Sequence, residues 1–204
     1  MTRDAAASLR LAPLPPGHVP AVAAEMETYV RTLGFVPNSV LTMQRKPDLL
    51  KGFGRIQSAI WSPDSTVDRG FKRLIAHLSA KTAGDAYSMA HTASGSLHFG
   101  IAPEKLAALG DYRTSSLFSA AERAALNLAV AASTQPNAVT DDHFHALHRH
   151  WSEAAIIEIV AVIAMAGFLT RWNTTFATPL EDEPNAVAEH HLAPQGWRAG
   201  AHRS

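Results

Sequence analysis

The segment Ala83-Gly-Asp-Ala-Tyr-Ser-Met-Ala-His-Thr-Ala93 gathers side chains that could do chemistry. Asp85, Ser88 and His91 recur at every third position, and on a helix that spacing places neighbours on adjacent turns of one face. Asp85 and Ser88 would fall in the first turn, where free backbone N–H groups and the helix dipole favour negative charge, with His91 one turn deeper. Such a group suits proton transfer, with His91 as general acid or base and Asp85 or Ser88 orienting it. A hydrolytic triad is the sharper version, but the sequence carries neither a nucleophile elbow nor an oxyanion loop. A plainer reading also explains two of the three: Asp85 as N-cap, with Ser88 completing the capped turn.

Arg73 and His77 lie four apart on the preceding predicted helix and share a face. If the two helices pack as a hairpin, either side chain can approach His91, and a guanidinium there suits an anionic ligand because its fork matches a carboxylate. A solvated face is the alternative. His143, His145, His148 and His150 cluster locally, but only His145 and His148 have helical spacing and no acidic residue completes a facial set. The cluster reads as a solvated helix rather than a zinc or iron site. Arg171 and Trp172 fit either a pocket or subunit contact, or a helix end anchored by a buried aromatic.

These groups need a scaffold, and composition bounds it. The 204 residues suit one domain. Lys and Arg total 18 and Asp and Glu total 18, a formal charge of zero, which removes the electrostatic case for nucleic acid or an anionic membrane. Hydrophobic residues make up 47%, enough for a sizeable core. The chain has no cysteine, which excludes disulfides, thiolate nucleophiles and thiol redox cycles. Met1 to Ala12 lacks an apolar signal core, and the apolar run from Ala154 to Leu169 contains Glu158 and is short for a membrane span. A soluble, cytoplasmic protein is the expectation.

Pro13, Pro15, Pro16 and Pro20 favour an extended arm over residues 1–20. A single helical domain follows over 21–181, and residues 182–204 read as a polar tail. Within the domain, helices are expected from Ala21 to about Gly34, Pro47 to Trp61 and Thr66 to Thr82, the last burying Phe71, Leu74, Ile75 and Leu78. Next come an Asp85-capped helix through His98, a short one over Pro103 to Leu109, and one opened by the capping box Ser119-x-x-Glu122. Thr140 caps a helix over Asp141 to His150, and Ser152 caps a long one to about Phe176. No strand alternation is visible, so the fold class is all-α with about seven or eight helices. Ile156 to Met165 is nearly apolar all round, which calls for burial on all sides and predicts a homo-oligomer.

Three ordered blocks give a family resemblance. Gly84-Asp-Ala-Tyr-Ser-Met-Ala-His-Thr-Ala93 resembles the block Gly-Cys-x-Tyr-Cys-x-x-His-Thr-Ala of the carboxymuconolactone decarboxylase-like superfamily, which includes the alkylhydroperoxidase D-like proteins. Phe118 to Leu126 with Gln135 to Thr140 forms the second block. The third runs from Ile157 to Ile163, Phe168 to Asn173 and Ala177 to Glu181. The resemblance implies an alkylhydroperoxidase D-like helical bundle and an oligomer, trimeric or hexameric.

In active members of that family a Cys-x-x-Cys pair at a helix N-terminus, beside a histidine and a glutamate from the previous helix, reduces peroxides. Here Asp85 and Ser88 stand at the cysteine positions and Arg73 where the acidic residue would fall, while Tyr87 and His91 are retained. Peroxide reduction needs a thiolate, so thiol peroxidase activity does not transfer. The expected function is non-redox acid–base chemistry on a small anionic molecule: decarboxylation, isomerisation or a related lyase step. His91, Asp85, Ser88 and Tyr87 would be catalytic and Arg73 and His77 substrate-binding. No metal, cofactor, nucleic acid or membrane partner is expected. The alternative is a catalytically inactive ligand-binding or structural oligomer.

Overall fold

A computed structural model describes residues 10–200. Its ten α-helices are α1 Ala23–Leu33, α2 Asn38–Met43, α3 Pro47–Ile60, α4 Arg69–Thr82, α5 Ala86–His98, α6 Pro103–Ala107, α7 Ala120–Ser133, α8 Asp141–His148, α9 Glu153–Phe176 and α10 Asp182–His191. No strand occurs among the described residues, so the chain is all-α. The arm expected over 1–20 is described from Arg10 onward; residues 1–9 and 201–204 lie outside the described part. The arm is fastened to the bundle: Gln44 donates to the carbonyls of Leu14 and Pro15, and Arg45 to that of Ala12.

Helix α4 is the core element, packed against α5, α7 and α9. Its apolar stripe of Phe71, Leu74, Ile75 and Leu78 is at most 5% exposed, and each such side chain contributes roughly 1.5–3 kcal/mol on burial. Asp68 caps it by accepting from the Phe71 N–H at 2.7 Å. Gly84 ends the hairpin turn in the left-handed region at φ +74. Asp85 N then donates to Ala80 O and Gly84 N to Lys81 O, the paired bonds by which a glycine closes a helix. Helix α5 starts at once and returns antiparallel, because His77 meets Met89 and Thr92 while Arg73 meets Gly95.

Lys72 is fully buried in this core. Its ammonium donates to Ile60 O at 2.8 Å and Ser65 Oγ at 2.6 Å, and pairs with Glu158 Oε2 of α9 at 2.8 Å. Glu158 also accepts from Thr66 N, Thr66 Oγ1 and Val67 N. Burial pushes the Glu158 carboxyl up, but the bonds from Lys72, Thr66 and Val67 bring it down to about 2. Every proton of the buried cation is spent, as such a charge requires.

The structure departs from the sequence expectations in three places. Helix α2 has no polar face: Ser39 to Met43 are all buried, so it offers no amphipathic period to read. The segment expected as a polar tail carries α10. Its apolar stripe is narrow, Pro184, Ala188 and Leu192 at every fourth position, yet all three are buried. Beyond it Trp197 is 7% exposed and donates from Nε1 to Ala86 O at 2.9 Å, tying this segment to the start of α5. Helix α9 is long and apolar enough by composition to cross a membrane, with 44% of its most apolar window buried inside the protein. Rather than being covered all round within this chain, it leaves Ile157 69%, Val160 38% and Phe168 37% exposed.

Candidate functional site

The end of α9 builds the site. Asn173 O accepts from Ala177 N and Thr178 N, and Ala177 occupies the left-handed region at φ +52, a conformation costly for any residue with a Cβ. The turn throws Pro179, Leu180 and Glu181 back across the first turns of α5. There Glu181 Oε2 meets His91 Nε2 at 2.6 Å, and Oε1 accepts from Tyr87 OH at 2.8 Å and from the Asn38 backbone N–H.

Burial raises the Glu181 carboxyl, but the hydrogen bond and charge of His91, with the bonds from Asn38 and Tyr87, lower it below its ordinary value overall. Glu181 is therefore an ionised acceptor. Tyr87 is pushed well above its ordinary value, first by burial and then by the Glu181 charge, so its phenol stays protonated and donates. An ionised carboxylate at Nε2 assigns a proton to that nitrogen. Nδ1 of His91 makes no hydrogen bond and is not buried; in the neutral ring it is the nitrogen that carries the lone pair. The imidazole, with a side chain 19% exposed, is flanked by Tyr87 at 4.5 Å and Phe35 at 5.9 Å between ring centroids.

Asp85 and Ser88 sit deeper. Asp85 Oδ1 caps α5 by accepting from Ser88 N at 3.1 Å, as the capping reading requires. Oδ2 has no partner. Burial raises this carboxyl above its ordinary value, against the lowering effect of Ser88 and the charge of His91. Asn173 Nδ2 donates to Ser88 Oγ at 3.2 Å, while Asn173 Oδ1 and Thr170 Oγ1 are buried without partners. The helix start thus carries a buried polar cluster whose groups are only partly satisfied within the protein, an arrangement that is costly unless used.

The other two expected site residues stand elsewhere on the hairpin. His77 is 3% exposed; its Nδ1 lies 3.1 Å from both Met89 O and Thr92 Oγ1. Burial and the charge of Lys81 lower it to about 4, so it is a neutral ring pinning α4 to α5. Arg73 stacks 3.9 Å over Trp61. Neither shares a hydrogen bond, ion pair or ring contact with His91. Glu181 was the residue missed as a site group. It ends the third sequence block, but nothing local marks an acid ninety positions from its histidine as a partner. Among the described residues no group of three His, Cys, Asp or Glu could hold a metal. His143 instead caps α8 through Thr140.

No protein-family profile matches the chain. The structure of the debrominase Bmp8 without ligand superposes with a TM-score of 0.81 and 35% sequence identity, covering 88% of this chain and 96% of Bmp8. A Bmp8 variant with one cysteine replaced by alanine, in complex with 2,3,4-tribromopyrrole, gives a TM-score of 0.83 at 34% identity over 90% of this chain and 98% of that one. The alkylhydroperoxidase D core of a peroxidase-related protein from Ralstonia eutropha JMP134 shares the fold, with a TM-score of 0.72 at 20% identity over 85% of this chain and 94% of that one. The chain belongs to the alkylhydroperoxidase D-like, or carboxymuconolactone decarboxylase-like, family. Among curated sequences the uncharacterized protein YnjA of Escherichia coli K12 is 37% identical over 78 residues, which span 38% of this chain and 43% of YnjA. With no cysteine, this member lies outside the family's thiol peroxidases, and the thiol that Bmp8 carries has no counterpart.

Proposed function

We propose that the chain catalyses proton transfer on a small organic anion, a decarboxylation, isomerisation or related lyase step, with His91 as the base. The observation that carries this reading is the Glu181–His91 pair. A carboxylate fixes one ring nitrogen and leaves the other unengaged at the protein surface, the arrangement that orients and strengthens a histidine base. Tyr87 holds the second Glu181 oxygen and keeps the carboxylate in register. Asp85 and Glu181 have environments that push their carboxyls in opposite directions; in this reading Asp85, the raised one, is the proton donor, with Ser88 beside it.

Turnover of a panel of lactones and keto acids tests the reading. His91→Ala that still binds ligand but no longer turns it over supports it; unchanged turnover removes His91 as catalyst. A second reading, an inactive ligand-binding or structural oligomer, is favoured by the capping bond that accounts for Asp85 without chemistry. Asp85→Asn separates the two, since Asn caps as well as Asp but cannot deliver the proton. The exposed apolar strip of α9 supports a homo-oligomer, and the family resemblance implies a trimer or hexamer; a monomeric sedimentation mass at micromolar concentration would refute the oligomer.

A further inference from the structure

Arg69 and Arg73 form an arrangement that the His91 reading leaves unused. They are one helical turn apart on α4 and share a face. The Arg69 guanidinium lies 4.2 Å over the Phe99 ring, and that of Arg73 lies 3.9 Å over Trp61 and 5.8 Å from Phe99. Two aromatic rings, one capping the end of α3 and the other the end of α5, thus clamp two like charges side by side. Among the described residues neither arginine has a carboxylate or carbonyl acceptor, and both Nε atoms are buried without a hydrogen-bond partner. By contrast, Lys72 pairs with Glu158, Lys105 with Glu122, and Arg123 donates to the carbonyls of Tyr112 and Ser115.

The sequence gives up local stability to keep Arg73 in place. Gly95 lies inside α5, where glycine is a poor helix former. A Cβ there would meet Arg73 Nε at 3.0 Å and Cδ at 3.1 Å, so the glycine is the slot in which the arginine lies. Burial, and then the charge of Arg69, lower the Arg73 guanidinium to about 10; it remains a cation at neutral pH under repulsion that no described residue relieves. The terminal nitrogens of both guanidinium groups make no hydrogen bond among the described residues and are not fully buried, so their outward edges remain available as donors.

We infer that Arg69 and Arg73 form a binding site for a small-molecule carboxylate, held bidentately on the guanidinium edges while Trp61 and Phe99 fix the planes. Carboxylate is the chemistry that fits a planar fork of donors, and two forks side by side favour a dicarboxylate. Gly95 is one turn along α5 from His91, on the same face, roughly 6 Å along the axis. The inference stands on packing and charge and does not require His91 to be a catalyst.

Calorimetric titration of the full chain with malonate, against chloride at equal ionic strength, tests it. Saturable binding is expected, weakened at least tenfold in Arg69→Gln and in Arg73→Gln and unchanged in His91→Ala. Arg73→Lys, which keeps the charge and stem but loses the fork, should bind more weakly than the parent. Circular dichroism establishes that each variant is folded; if Arg73→Gln is not, Arg69→Gln alone decides. Absence of malonate binding, or equal binding by parent and Arg69→Gln, overturns the proposal. So does a fall in sedimentation mass of Arg69→Gln with no malonate binding by the parent, because the carboxylate would then be a side chain of a second copy.

Discussion

Glu158 and Glu181 are two carboxylates associated with the same long helix, one within it and one just beyond its end, and each is held by several donors. Glu158 accepts from two backbone N–H groups and Glu181 from one, and each meets a nitrogen cation or base on the α4–α5 hairpin. Both are held below the ordinary carboxyl value. The difference lies in the partner. Lys72 is 0% exposed and uses all three protons on protein acceptors. His91 is part-exposed and keeps one ring nitrogen unengaged. A saturated pair can only hold the fold together, whereas an unsaturated one at the surface is equipped to exchange a proton with something outside the chain.

The largest effect that sharpens this contrast is on turnover. His91→Ala should lose about 1,000-fold in kcat with circular dichroism unchanged, the range of a lost general base; a loss under tenfold would place both pairs in the structural class. Next, Glu158→Gln should cost about 3 kcal/mol in urea unfolding, because it strands a buried ammonium, while Glu181→Gln should cost less stability and about 100-fold in kcat. Equal stability losses would erase the distinction.

Acid titration of stability gives a smaller signal. Carboxyls whose folded values are depressed stabilise the fold above their unfolded values and lose that contribution as pH falls through the folded ones. For Glu158 the window runs from 4.5 down to about 2, so Glu158→Gln should flatten the acid limb of stability against pH. Asp85 has the opposite sign: a raised carboxyl costs stability as pH rises above its unfolded value, so Asp85→Asn should leave stability at pH 7 equal or higher while lowering turnover. Least of all, Ala177→Gly should stabilise by roughly 1 kcal/mol by relieving the left-handed residue, with Glu181 and activity in place; a loss of activity would mean that the stiffness of the turn matters to the pair.

The legibility of these features follows from the range of the interaction that makes them. Caps and stripes are local, so Asp85, Ser119 and Ser152 announce the starts of α5, α7 and α9, and Phe71 to Leu78 announces the buried face of α4. Helix α2 is too short and too buried to show a period, and α10 hides behind a three-residue apolar stripe. His91 and Tyr87 are legible as candidates because helical spacing is local. Glu181 is not, since its partnership depends on a reversal at Ala177 that no glycine marks. Arg73 shows the remaining limit: its face was readable, but its stacking on Trp61 depends on how α3 ends, which periodicity does not encode.

The indole of Trp197 reaches back to the Ala86 carbonyl at the opening of the helix that bears Tyr87 and His91. The segment that carries Trp197 is therefore a buttress of the helix that bears the proposed base rather than an appendage. Shortening the chain before residue 197 should loosen α5 at its first turn while sparing the α4–α9 core, and a purification handle is better placed at the amino end.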